Sequence, residues 1–299
     1  MGRFKFFAAI VALVTVLTVS FFATFYLLKK YTNVLSKPLM DGKTLVRAGG
    51  VHELLKLKGS SLWILCGFRI LFFFWFALFN TVYRMFFFHP RGWHYYTNWN
   101  IYLLGFYYTF SSTSTILLMK KEKYSLSEKE TVYAEYVAAV ASVLYTVAGS
   151  AAIMITGLNF LLLNPEPTFW NLTLHLSTTL SLLIDMSLND MAVNRQDVLF
   201  SIIWPYCYLV FIWPIVKESV RGEWPYFFVE TQNASSFFWY LFLYVMSFLF
   251  FVAFYFLHRG KDKLIMRIQR KVNVSEHQTV PVHDVAVEPG DSFHSVDGL

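Results

Sequence analysis

The chain has 299 residues, 56% hydrophobic, 20% aromatic and 15% charged, with a mean hydropathy of +0.47. A soluble domain carries about 25% charged residues, and 32 Phe, 18 Tyr and 9 Trp exceed what a globule of this size hides from water, so lipid is the economical solvent. These figures exclude a soluble enzyme, a disordered chain and a disulfide scaffold. They also argue against a nucleic-acid binder despite a net charge of +6, because the positive residues lie between apolar runs, as the positive-inside rule distributes them.

Seven apolar stretches are long enough to cross a bilayer as helices: about 6–28, 62–88, 98–119, 132–157, 169–188, 198–216 and 236–257. Period-2 alternation is absent, so the expected fold is an all-α, polytopic transmembrane helical bundle. The first stretch begins with Arg3 and Lys5 and ends in Lys29-Lys30. It is longer than a signal-peptide core and is read as a retained helix. The expected organisation is a helix and basic segment over 1–61, a six-helix core over 62–257, and a basic then disordered tail over 258–299. Within the basic segment, 54–57 is a candidate interfacial helix.

Loop charge sets the orientation. The 29–61, 120–131 and 189–197 segments and the tail hold 18 Lys and Arg, against 6 on the other side. This places the tail in the cytosol and the N-terminus outside or in the lumen. The sequon Asn233-Ala234-Ser235 falls in a lumenal loop, consistent with that topology. Cys66 and Cys207 sit in apolar runs without C-x-x-C spacing and read as small buried hydrophobes. No metal or cofactor is expected.

Polar groups inside lipid mark function more often than they do in water. Thr97 follows Trp93-His94-Tyr95-Tyr96 at the start of the third stretch, and Asn98 and Asn100 follow it. An interfacial aromatic belt accounts for Trp93, Tyr95 and Trp99 but not for the polar trio. His175 lies in the first turns of the fifth stretch, with Thr178 and Thr179 one turn on, placed to orient the imidazole or to bond across helices. With alternating spans, Thr97 and His175 open helices at the same face of the bilayer. A hydroxyl and an imidazole in one leaflet are the minimum set for nucleophilic catalysis. A histidine satisfied by a neighbouring helix is the competing reading. Asp185, ten residues beyond His175, is about 15 Å further along the axis. It is out of reach of the imidazole and is expected to pair with Arg69. The hydroxyls of 111–115 are expected to bond backbone or neighbouring helices, and Ala138, Ser142, Ala148 and Ala152 to permit close helix packing.

Trp93-His94-Tyr95-Tyr96-Thr97, and Trp170-Asn171-Leu172-Thr173-Leu174-His175 with Asp185 ten positions later, resemble two segments of the androgen-induced-gene family. That family includes the androgen-dependent regulator of tissue factor pathway inhibitor and has rolling-stone-like relatives. Tyr208 to Pro214 and Gly222-Glu223-Trp224-Pro225-Tyr226 are similar to its aromatic segment and Gly-x-Trp loop, so the likeness covers about 62–257. The resemblance implies a multi-span membrane protein of the endoplasmic reticulum or plasma membrane. It also implies a threonine hydrolase acting on fatty-acid esters of hydroxy fatty acids, with Thr97 as nucleophile and His175 as base. The chain has Leu172 where such hydrolases often carry a second histidine.

Two function classes follow. One is a membrane-embedded hydrolase taking an amphiphilic lipid ester from the bilayer, with Asn98 or Asn100 as oxyanion donor and no nucleic-acid partner. The other is a non-catalytic multi-span protein with a signalling, adhesion or fusion role, in which Thr97 and His175 are structural.

Overall fold

A computed structural model describes residues 43–49, 62–88, 95–163, 169–219, 226 and 236–279. The expected first span, the candidate helix at 54–57, Trp93, the sequon and the last twenty residues lie outside the described residues. The described elements are helices: α1 (Lys43–Gly49), α2 (Leu62–Phe73) continuing as α3 (Phe74–Phe88), α4 (Tyr96–Lys123), α5 (Glu128–Leu158), α6 (Phe169–Leu188), α7 (Val198–Ser219) and α8 (Ser236–Thr279). Helix thus occupies each of the six core stretches expected from hydropathy. Among the described residues three helices are long and apolar enough to cross a membrane: Leu62–Thr81, Glu128–Leu161 and Phe238–Ile268. α4 has the length, but Thr97, Asn98, Asn100 and the hydroxyls of 111–115 dilute its apolar character.

α3 is wound more widely than an α-helix. The Asn80 amide and the Thr81 hydroxyl donate to the carbonyls of Trp75 and Phe76, five residues back, at 2.8 and 2.7 Å. Its contact with α4 depends on small residues, because a Cβ on Gly105 would sit 3.2 Å from the Ala77 Cα.

α4 and α5 form an antiparallel hairpin. Lys120 and Leu118 carry α4 to its end, and Ser127 then starts α5 with a reciprocal capping box to Glu130. Lys120 Nζ meets Glu130 Oε1 at 2.6 Å across the turn, and the Tyr107 and Tyr145 rings meet further up at 5.7 Å. The central face of α5 buries Ala138, Ala148 and Ala152 as expected, which brings its neighbours close. A Cβ on Gly149 would lie 2.3 Å from the Phe254 ring of α8. α6 returns antiparallel to α5, with the Thr179 hydroxyl 2.8 Å from that of Thr156 and 3.1 Å from the Ala152 carbonyl. Thr179 therefore bonds across helices.

α1 packs between α4 and α5 with Leu45 and Ala48 fully buried. Its Leu45 N–H donates to Glu135 Oε2 at 3.1 Å. Gly49 is required at its end, since a Cβ there would fall 2.6 Å from the Ser114 carbonyl oxygen. Arg69 and Asp185 pair as the sequence suggests, at 3.0 Å and fully buried. Arg69 Nη1 also donates to the carbonyls of Ala48 (2.7 Å) and Ser111 (3.2 Å) and to Thr115 Oγ1 (2.8 Å). Asp185 further accepts from the Tyr107 hydroxyl and from Asn189 Nδ2 at 2.9 Å.

α8 stays helical to Thr279, past the expected span end at 257 and into residues expected to be disordered. Between Gly260 and Pro281 the sequence holds neither Gly nor Pro, so nothing in it stops the backbone ladder. The chain divides into two units at Lys261, and the second is described over 262–279. That part exposes Leu264, Met266 and Ile268 on the same helix as the exposed Lys263 and Arg267.

Candidate functional site

Thr97 is the second residue of α4 and His175 the seventh of α6. Their relative depth follows from helix register. α4 and α6 each run antiparallel to α5 and so parallel to one another. They touch where Tyr107 bonds Asp185, 78 positions apart. Thr97 and His175 each lie ten residues before that contact, about 15 Å along each axis. A second path agrees. Thr156 lies eleven residues past Tyr145, which faces Tyr107, so it sits opposite the start of α4. Its hydroxyl donates to the His175 carbonyl at 2.7 Å. Hydroxyl and imidazole thus occupy one level of the bundle.

Rotation about the axes separates them. Ten residues turn each helix by about 80° in the same sense, which on parallel neighbours sends the two side chains to opposite flanks of the contact plane. Thr97 faces an aromatic cluster. The Tyr96 ring lies 5.0 Å from Tyr208, Trp99 lies 5.5 Å from Tyr208 and 5.7 Å from Trp204, and Tyr95 lies 5.9 Å from Tyr226. The Thr97 hydroxyl and the N–H groups of Tyr96 and Thr97 donate to the Tyr226 phenol oxygen. Burial pushes that phenol up to about 12, and these donors act against the rise. Tyr226 thereby serves the start of α4 as a cap supplied from a distant loop, where Tyr95 makes no side-chain cap bond of its own. His175 is 9% exposed, and its carbonyl also accepts from Thr178 Oγ1 at 2.8 Å. Thr178 therefore fixes the backbone that carries the imidazole.

The sequence singled out Asn98 and Asn100 together, and the structure distinguishes them. Asn98 is engaged with a neighbour and half-buried. Asn100 is fully buried, and neither amide atom has a hydrogen-bond partner among the described residues. Tyr226 was not legible as a partner of Thr97, because 129 positions separate them and no local pattern links the two. The signal available was the Gly-x-Trp-Pro-Tyr loop itself, which ends on that tyrosine.

A groove of about 950 Å³ lined by Leu62, Trp63, Cys66, Ile116, Lys120 and Tyr124 opens at the opposite end of α4, remote from Thr97. Among the described residues no three His, Cys, Asp or Glu side chains converge as a metal site would require. Comparison with protein-family models, curated proteins and solved structures gives no match for this chain.

Proposed function

We propose that this chain is a multi-pass integral-membrane hydrolase of amphiphilic lipid esters, of the fatty-acid-ester-of-hydroxy-fatty-acid type. Six helices form its membrane core in the endoplasmic reticulum or plasma membrane. The observation that carries the reading is the common level of Thr97 and His175, set by the register of α4 against α6 through Tyr107 and Asp185. In the reactive state α4 and α6 turn about their axes, so that the Thr97 hydroxyl leaves Tyr226 and meets the imidazole across the contact plane. His175 takes the hydroxyl proton as Oγ1 attacks the ester carbonyl carbon, and the C–O bond to the alcohol breaks. The imidazolium returns the proton to the departing alkoxide. Water, deprotonated by the same imidazole, then cleaves the acyl-threonine ester and restores the hydroxyl. The aromatic cluster of Tyr96, Trp99, Trp204 and Tyr208 offers an apolar wall for an acyl chain entering from lipid.

A second reading, a non-catalytic membrane protein, is favoured by one observation. The Thr97 hydroxyl is committed to Tyr226, which makes it a helix-start residue tied to a loop. Labelling of the detergent-solubilised chain with a fluorophosphonate probe decides between them. Under the hydrolase reading Thr97→Ala and His175→Ala each lower labelling by at least about a hundredfold. Undiminished labelling in both variants, or no labelling of the parent, establishes the second reading.

A further inference from the structure

We propose that Asn100 is the group that grips the carbonyl oxygen of a lipid ester inside the bundle. The inference rests on the hydrolase reading and adds to it a residue for ligand recognition. A fully buried amide with neither atom bonded to a described residue is costly unless another group meets it. Its position makes that cost intelligible. Asn100 lies seven residues before Tyr107, about 20° from Tyr107's face of α4, and that face meets α6. By register Asn100 thus sits on the face of α4 that meets α5 and α6, two turns from the level of the Arg69–Asp185 pair. Thr97 and His175 lie on opposite flanks of the contact between α4 and α6. The residue of α6 at the same register is Thr178, whose hydroxyl is already committed to the His175 carbonyl.

Tyr96 Oη and Trp204 Nε1 at this end of the bundle are likewise buried without a hydrogen-bond partner among the described residues. Trp204 packs against Trp99, the residue next to Asn100. Asn100 Nδ2 is an N–H donor on the residue beside Trp99, whose ring packs on Trp204. A neutral ester suits such a place, since its alkyl chains take the rings and its one strong acceptor takes the N–H. A carbonyl oxygen held by Asn100 gains negative charge as the alcohol attacks, and the same N–H then binds it more strongly.

The full chain in phosphatidylcholine vesicles, carrying Thr97→Ala so that the ester survives, is loaded with a long-chain ester ¹³C-labelled at its carbonyl. Isotope-edited infrared difference spectroscopy reads the carbonyl band. The expected result is a bound band at lower frequency than in vesicles lacking protein. Adding Asn100→Leu restores the free-lipid position while raising Tm by a few degrees, as removal of an unpartnered buried amide should. A band unmoved by Asn100→Leu, an unshifted band in Thr97→Ala itself, or a fall in Tm overturns the proposal. These outcomes are independent of phosphonate labelling, so a failed nucleophile assignment and a failed carbonyl grip are told apart.

Discussion

At the scale of single residues, Tyr226 has two separable roles. Its phenol oxygen collects the Thr97 hydroxyl and two N–H groups of the first turn of α4, which otherwise have no intrahelical acceptor. Tyr226→Phe keeps the ring against Tyr95 and removes that acceptor. Loss of a cap costs about 1 kcal/mol, so Tm falls slightly in a detergent melt. The Thr97 hydroxyl is at the same time released from the loop, which removes one obstacle to its meeting His175. Phosphonate labelling of Tyr226→Phe is therefore expected to accelerate several-fold while stability drops. Slower labelling would mean that the phenol aligns the nucleophile instead of withholding it. Thr97 and His175 were visible in the sequence because a polar residue inside an apolar run stands out. The phenol was not, because an aromatic residue in a loop looks like any interfacial tyrosine.

At the scale of elements, the turn between α6 and α7 is held by Asp197. Its carboxylate accepts from Asn194 N and from Thr146 Oγ1 of α5, each at 3.1 Å. Burial nevertheless dominates and pushes the carboxyl up to about 6. The folded value lies above the unfolded one of 3.8, so the folded state prefers the protonated acid. The stability this contributes is fully present below 3.8 and is lost as pH rises through about 6. Two pKa units correspond to about 3 kcal/mol. Relative to Asp197→Asn, the parent chain should therefore lose thermal stability between about pH 4 and about pH 6.5, and the variant should lack this component. Parallel pH dependence of the two melts would remove Asp197 as the cause. Here the sequence showed the loop and its helices, since apolar run lengths mark them. It did not show the burial of Asp197, which depends on how tightly the turn is drawn onto α5.

At the scale of the whole molecule, the Arg69–Asp185 pair organises the bundle. Hydropathy marked stretches that are helical, three of them long and apolar enough to cross a membrane among the described residues, because a helix satisfies its own backbone and needs only a long apolar run. Charge scarcity then made the pairing of Arg69 with Asp185 legible, since two opposite charges inside such runs have few other partners. Pattern could not reveal that α1 closes the cluster. Lys43–Gly49 is short and mixed in polarity, and only the Ala48 carbonyl meeting Arg69 and the close pass of Gly49 against Ser114 explain its burial. The guanidinium and carboxylate together join α1, α2, α4 and α6, and set the level from which Thr97 and His175 are both measured. Removing one partner strands the other charge among apolar side chains, which costs about 3–5 kcal/mol, whereas replacing both with apolar residues of similar volume is often neutral. Arg69→Met and Asp185→Leu should each lower the unfolding free energy by that amount, and the double variant should recover most of the loss. A double-mutant cycle on the chain in detergent measures this directly. Additive losses would show that the two charges are held independently. Recovered stability with unchanged phosphonate labelling would show that packing alone keeps α4 and α6 in register.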